Sequence, residues 1–169
     1  MDNSDPRMPQ LFEINISGKD IFPESIRASD LAEILKSIEK SVSSVAIYMN
    51  PDLDPADFMV GLVQIKKGSA RLAFSSSQPS IAKESFEEVS AAVAEKKIYR
   101  LPSVATEEIN KIVDFSKRKG CVIELRPDIQ KEPTAFIQPD TDFGTIEKQT
   151  ITSDSVIFGK LERISCRFT

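Results

Sequence analysis

Residues 58–77, FMVGLVQIKKGSARLAFSSS, decide the fold class of this 169-residue chain. Two runs of strand-forming residues flank Gly68 and Ser69, and a glycine at the first central position suits a type II′ hairpin turn, where φ must be positive. Pairing from that turn sets Ile65 opposite Leu72 and Val63 opposite Phe74. Side chains alternate along a strand, so these four share one apolar face. Gln64, Lys66, Arg71 and Ala73 take the other face, with Lys66 facing Arg71, and the hairpin is expected to be the centre of the architecture.

Working outward, residues 1–10 are polar, broken by proline and expected to be a disordered lead-in. Over 11–17, Phe12, Ile14 and Ile16 alternate with Glu13, Asn15 and Ser17, the pattern of an antiparallel strand with one wet face. The loop KDIFPESIRA should pin itself to the core through Ile21, Phe22 and Ile26. A helix is expected from Ser29 or Asp30, either of which can cap it, to about Tyr48. Leu31, Ile34, Leu35, Ile38, Val42, Val45 and Ala46 line its inner side at spacings of three and four, and Glu33, Lys36, Ser37 and Lys40 its solvated side.

Beyond the hairpin, Gln78-Pro79-Ser80 starts a second helix with Ala82, Phe86, Val89 and Val93 in one stripe. A third runs from Pro102 or Thr106 to Arg118, burying Ala105, Ile109, Ile112 and Val113. Lys117, Arg118 and Lys119 followed by Gly120 form its basic, glycine-capped end. A strand over 121–126 follows, then a short strand within 133–138 around Phe136, an irregular stretch over 145–152 and an apolar strand over 155–165.

The expected fold is α+β: a mostly antiparallel sheet of the N-terminal strand, the hairpin and the strand near 121–126, covered by about three helices, with a C-terminal β segment. Residues 11–128 form the α+β domain. Residues 129–169 form a β-rich segment: the strand over 155–165 has no later neighbour, so either it pairs backwards with 145–152 or the segment is the start of a truncated second module.

Composition narrows the function. With 40% hydrophobic and 28% charged residues the chain is ordinary for one soluble domain, and a net charge of −4 argues against a dedicated nucleic-acid binder. The start MDNSDPRMPQ lacks the basic and apolar parts of a signal peptide, and no run reaches about 18 apolar residues. A cytoplasmic location is expected. Cys121 and Cys166 form no C-x-x-C pair and are read as reduced thiols. The chain contains no histidine, so no Ser-His-Asp or Cys-His arrangement can be built from it. Neither phosphate-binding glycine motif is present, and no cofactor is expected.

Three groups of residues could still carry chemistry. Ser37-Ile38-Glu39-Lys40 matches S-x-x-K, without the companion S-D-N and K-T-G elements. Asp52, Asp54 and Asp57 could offer carboxylates to a hard cation, although the loop lacks the glycine and glutamate of an EF-hand. Asp140 and Asp142 carry the same two readings, ligand or turn former. Lys66, Lys67 and Arg71 gather at the hairpin tip. Like charges across a strand pair repel, so an anion would relieve them, and Lys117, Arg118 and Lys119 could join them on one side.

The order of ISGKDIFPESIRASDLAEILKSIEKSV, LVQIKKGSARLAF, KRKGCVIELRP and SVIFGKLERIS resembles a set of uncharacterised bacterial proteins. In that set SVIFGKLERIS looks like the opening of a further small β-rich module. The resemblance implies bacterial origin and a missing C-terminal part, and it implies no chemistry.

The expected function is a non-enzymatic protein-interaction or scaffold module, acting on a protein partner or by self-association through strand addition at a free edge near the C-terminus. One alternative is an anion or nucleic-acid binding module using the hairpin tip. Another is a carboxylate-dependent, metal-assisted enzyme.

Overall fold

The computed structural model describes residues 9–66 and 70–144. The described residues form five strands, β1 Phe12–Ser17, β2 Val60–Lys66, β3 Ala70–Ser76, β4 Val122–Arg126 and β5 Ala135–Ile137, and three α-helices, α1 Ala28–Met49, α2 Pro79–Ala94 and α3 Ser103–Lys119, in the order β1-α1-β2-β3-α2-α3-β4-β5. Every pairing among these strands is antiparallel, and their order in the sheet is β2-β3-β1-β4-β5. The fold is α+β, with the helices on one face of an open sheet.

Alternation decides which face the helices cover. Phe12, Ile14 and Ile16 of β1 stand in register with Phe74, Leu72 and Ala70 of β3. Ile123 and Leu125 of β4 pair with Ile16 and Ile14, and with Ile137 and Ala135 of β5. All of these are buried, so one sheet face is apolar across four adjoining strands. The helices answer with Ile34, Ile38, Val42 and Val45 from α1, Ala82, Phe86, Val89 and Val93 from α2, and Ala105, Ile109, Ile112 and Val113 from α3. The Phe12 ring is stacked between Phe74 at 5.2 Å and Phe86 at 4.1 Å, tying strand, hairpin and α2 together.

The helix ends follow local chemistry. Pro79 occupies the first turn of α2, where its missing N–H is not needed. Gly120 ends α3 at φ 61°, ψ 37°, and its N–H donates to the Ser116 carbonyl. α1 starts earlier than Ser29: Arg27 is the extended N-cap and makes no side-chain cap bond. Asp30 is thereby drawn into the first turn, where its carboxylate lies 2.8 Å from Lys119 Nζ.

Four expectations are corrected. First, among the described residues β1 and not the hairpin is the centre of the sheet; β3 lies beside it and β2 is an edge. Second, Ile65 faces Leu72 and Lys66 faces Arg71, but the register shifts between Leu62 and Gln64, so Leu62 and not Val63 opposes Phe74. One extra residue in β2 breaks the alternation, and Ile65 is left 42% exposed. Third, Glu13 and Ser37 are each 1% exposed, although polar residues on those sides of β1 and α1 were expected in water. Fourth, Phe22 is exposed, so the loop is pinned by the buried Ile26 and the partly buried Ile21 alone of the three.

The turn at Gly68 and Ser69, the residue Lys67, the stretches over 145–152 and 155–165, and Cys166 lie outside the described residues. Among the described residues no helix is long and apolar enough to cross a membrane.

Candidate functional site

Of the basic hairpin residues, the two that are described, Lys66 and Arg71, are not free. Lys66 Nζ lies 3.3 Å from Glu13 Oε2, and Arg71 Nη1 lies 3.8 Å from Glu13 Oε1. Arg126 joins from β4, with Nε 3.4 Å from the same Oε1. β1 runs between β3 and β4, so one carboxylate on its middle gathers cations from both sides. Beside it, Asn15 donates its side-chain N–H to Glu124 at 3.0 Å. The repulsion between Lys66 and Arg71 is thus met by an anion of the chain itself. Arg118 and Lys119 pair with Glu33 and Asp30 on the helix-covered side, and do not join Lys66 and Arg71 on the opposite face.

The S-x-x-K residues come together with a third group from α3. Ser37 donates its hydroxyl to Glu108 Oε2 at 2.8 Å, while Lys111 Nζ at 2.9 Å and Lys40 Nζ at 3.6 Å approach Oε1. Burial pushes Glu108 upward, but the hydrogen bonds from Lys111 and Ser37 and the charges of Lys111 and Lys40 outweigh it and hold the carboxyl below its ordinary value. A carboxylate so stabilised is a weak base, and Ser37 is buried. The cluster locks α1 to α3.

The aspartate loop folds as turns. Asp54 caps a short 3-10 turn over Pro55–Asp57 by accepting the Ala56 N–H at 2.9 Å, and Asp142 accepts the Gly144 N–H at 2.8 Å. Asp57 lends its main-chain carbonyl to the Ser77 hydroxyl at 2.9 Å, and Asp52 is exposed. Among the described residues no group of three or more His, Cys, Asp or Glu side chains could hold a metal ion.

A different surface stands out at β2. The Ser77 N–H donates to the Met59 carbonyl at 3.1 Å, and the Leu11 N–H, on the far side of β3, donates to the Phe74 carbonyl at 2.8 Å. In an antiparallel ladder the direction of the backbone polar groups alternates residue by residue. Gly61 therefore faces β3, and the N–H and C=O groups of Val60 and Leu62 face outward from the sheet edge.

Beside this edge, Ala32, Leu35, Lys36 and Glu39 of α1 and Val60, Leu62 and Phe74 of the hairpin line an open groove of about 510 Å³. Leu62 is 40% exposed, and Met59 and Ile65 are exposed near it. Sequence reasoning placed Lys36 on a solvated helix side, and passed over Leu62 because strict alternation turned it to the polar face. The signal was present in residues 58–63, FMVGLV, where apolar residues crowd too closely for a half-wet strand.

No family model matches the chain, and comparison with curated proteins and with solved structures finds no match.

Proposed function

We propose that the chain is a non-enzymatic protein-interaction module that engages a polypeptide along the β2 edge and the adjoining α1 groove. The observation that carries this reading is the coincidence of outward backbone groups at Val60 and Leu62 with the exposed Leu62 and Ile65 side chains. An added strand takes its main-chain hydrogen bonds from such an edge and its side-chain contacts from such a groove. The sequence-based expectation set the contact edge near the C-terminus. β5 is the opposite edge among the described residues, but it has three residues where β2 has seven, so β2 is favoured.

The test is photo-crosslinking inside cells with a photoreactive phenylalanine analogue placed at position 62, and at Glu107 on α3 as a control. A covalent adduct with a polypeptide at position 62 and none at position 107 is expected. A folded chain that gives no adduct at position 62 would remove the reading.

A further inference from the structure

Resting on that reading, we propose that the polypeptide engaged is a second copy of this chain, paired antiparallel through β2 about a two-fold axis at Gly61. Three features of the edge support a self-complementary partner.

The first is Gly61 itself. A Cβ built there meets nothing within 4 Å, and its φ is not in the left-handed region. Nothing among the described residues of one copy therefore requires glycine there, although glycine weakens a strand interior. Glycine in a strand interior serves a bulge, a bend or the close approach of another backbone, and the bulge here lies beyond Leu62 and not at Gly61.

The second is the direction of the backbone groups. With Gly61 on the axis, Val60 of one copy opposes Leu62 of the other, and both residues present N–H and C=O outward. Each opposed pair exchanges two hydrogen bonds, and the two Gly61 residues form the non-hydrogen-bonded pair between them, where strands approach closest. The bulge at Val63 ends the regular stretch, confining the match to this short segment.

The third is charge. Lys36 and Glu39 both line the groove, and neither has an ion pair or side-chain hydrogen bond among the described residues, whereas Glu33 and Lys40 on the same helix are both paired. Two-fold symmetry runs the α1 helices antiparallel above the joined edges, so Lys36 of each copy meets Glu39 of the other. One cation and one anion beside an apolar groove of Leu35, Leu62 and Phe74 suit an identical surface; a contact of this kind is isologous.

Sedimentation of the purified full chain over a concentration series tests this. A dimer is expected, abolished by Leu62→Pro, which removes an outward N–H and leaves the β2–β3 ladder intact. Lys36→Glu sets like charges against each other and weakens the dimer at low salt by about tenfold. Lys36→Glu combined with Glu39→Lys restores it, because the reversed pair complements only a copy carrying the same reversal. A strict monomer, a dimer indifferent to Leu62→Pro, or a double variant no better than Lys36→Glu would overturn the proposal. A monomer that still forms a crosslink at position 62 would overturn the second copy while leaving the interaction reading standing; a monomer without a crosslink would remove both.

Discussion

Glu13 and Lys66, separated by 53 residues in sequence, meet at 3.3 Å across the width of β3. The strand between them presents Ala73 opposite Glu13, and that small side chain leaves the Lys66 ammonium a path to the carboxylate. One anion on the central strand thus holds together cations from β2, β3 and β4.

Removing the anion is costlier than removing any one cation. Glu13→Gln leaves Lys66, Arg71 and Arg126 facing one another, and a loss of about 2–3 kcal/mol in urea unfolding is expected, less than a fully buried pair because two of the cations can turn to water. Lys66→Gln is expected to cost about 0–1 kcal/mol. Equal losses in the two variants would show that Glu13 does not organise the cluster.

Glu108 sets an acid limit on the α1–α3 contact. Its folded pKa lies below the ordinary 4.5, so its contribution is complete above that value and is lost as pH falls through the folded pKa. Unfolding free energy measured against pH should fall on acidification below 4.5, and Glu108→Gln should flatten that fall while lowering stability at neutral pH. A variant with the same acid slope as the native chain would contradict the assignment.

The Phe12–Phe86 stack, with centroids 4.1 Å apart, joins α2 to the centre of the sheet. Phe86→Ala is expected to cost about 3–5 kcal/mol, the range for a large aromatic side chain removed from a packed core. Calorimetry or denaturant unfolding reads this directly, and a loss under about 1.5 kcal/mol would place the ring outside the cooperative core.

Two glycines should respond in opposite ways. Gly120 sits at φ 61°, so Gly120→Ala is expected to cost about 1–2 kcal/mol through left-handed backbone strain. Gly61 has open space and no such φ, so Gly61→Ala, measured at concentrations low enough to keep the chain monomeric, should be neutral or stabilise by up to about 1 kcal/mol. Similar losses at both positions would refute the contrast.

Cys121 should be chemically quiet. Its thiol is buried, and desolvation pushes its pKa above the ordinary value. In a Cys166→Ser background, a thiol reagent should label the native chain far more slowly than the unfolded one; equal rates would show that the thiol is open to solvent.

Much of the fold was legible because the dominant signals were periodic. The stripes in α2 and α3 and the alternation in β1 bury the residues their spacing selects, the α1 stripe does so for all but the half-buried Leu31 and Leu35, and Gly120 ends α3 where basic residues meet glycine. The misses are non-local. The bulge at Val63 depends on how β2 meets β3, which no spacing within β2 reports. Ser37 is polar and falls on the outer side of α1 by pattern, yet Glu108, 71 residues later, turns that side into an interface. Glu13 was read as wet because alternation identifies a face and not what lies over it. The surface residues were harder still: Lys66 does stand opposite Arg71, as the hairpin register has it, but the carboxylate that meets both arrives from another strand.

The sheet order has a consequence for synthesis. β1 occupies the middle of the sheet, yet its Asn15 bonds to Glu124, which lies 109 residues further along the chain. A ribosome adding about 5–20 residues per second leaves the nascent β1 without its β4 neighbour for roughly 5–20 s. Throughout that interval Phe12, Ile14 and Ile16 have at most the hairpin and the three helices for shelter. A pause between the codons for α2 and β4 would lengthen the exposure, making the yield of folded chain sensitive to translation speed in that interval.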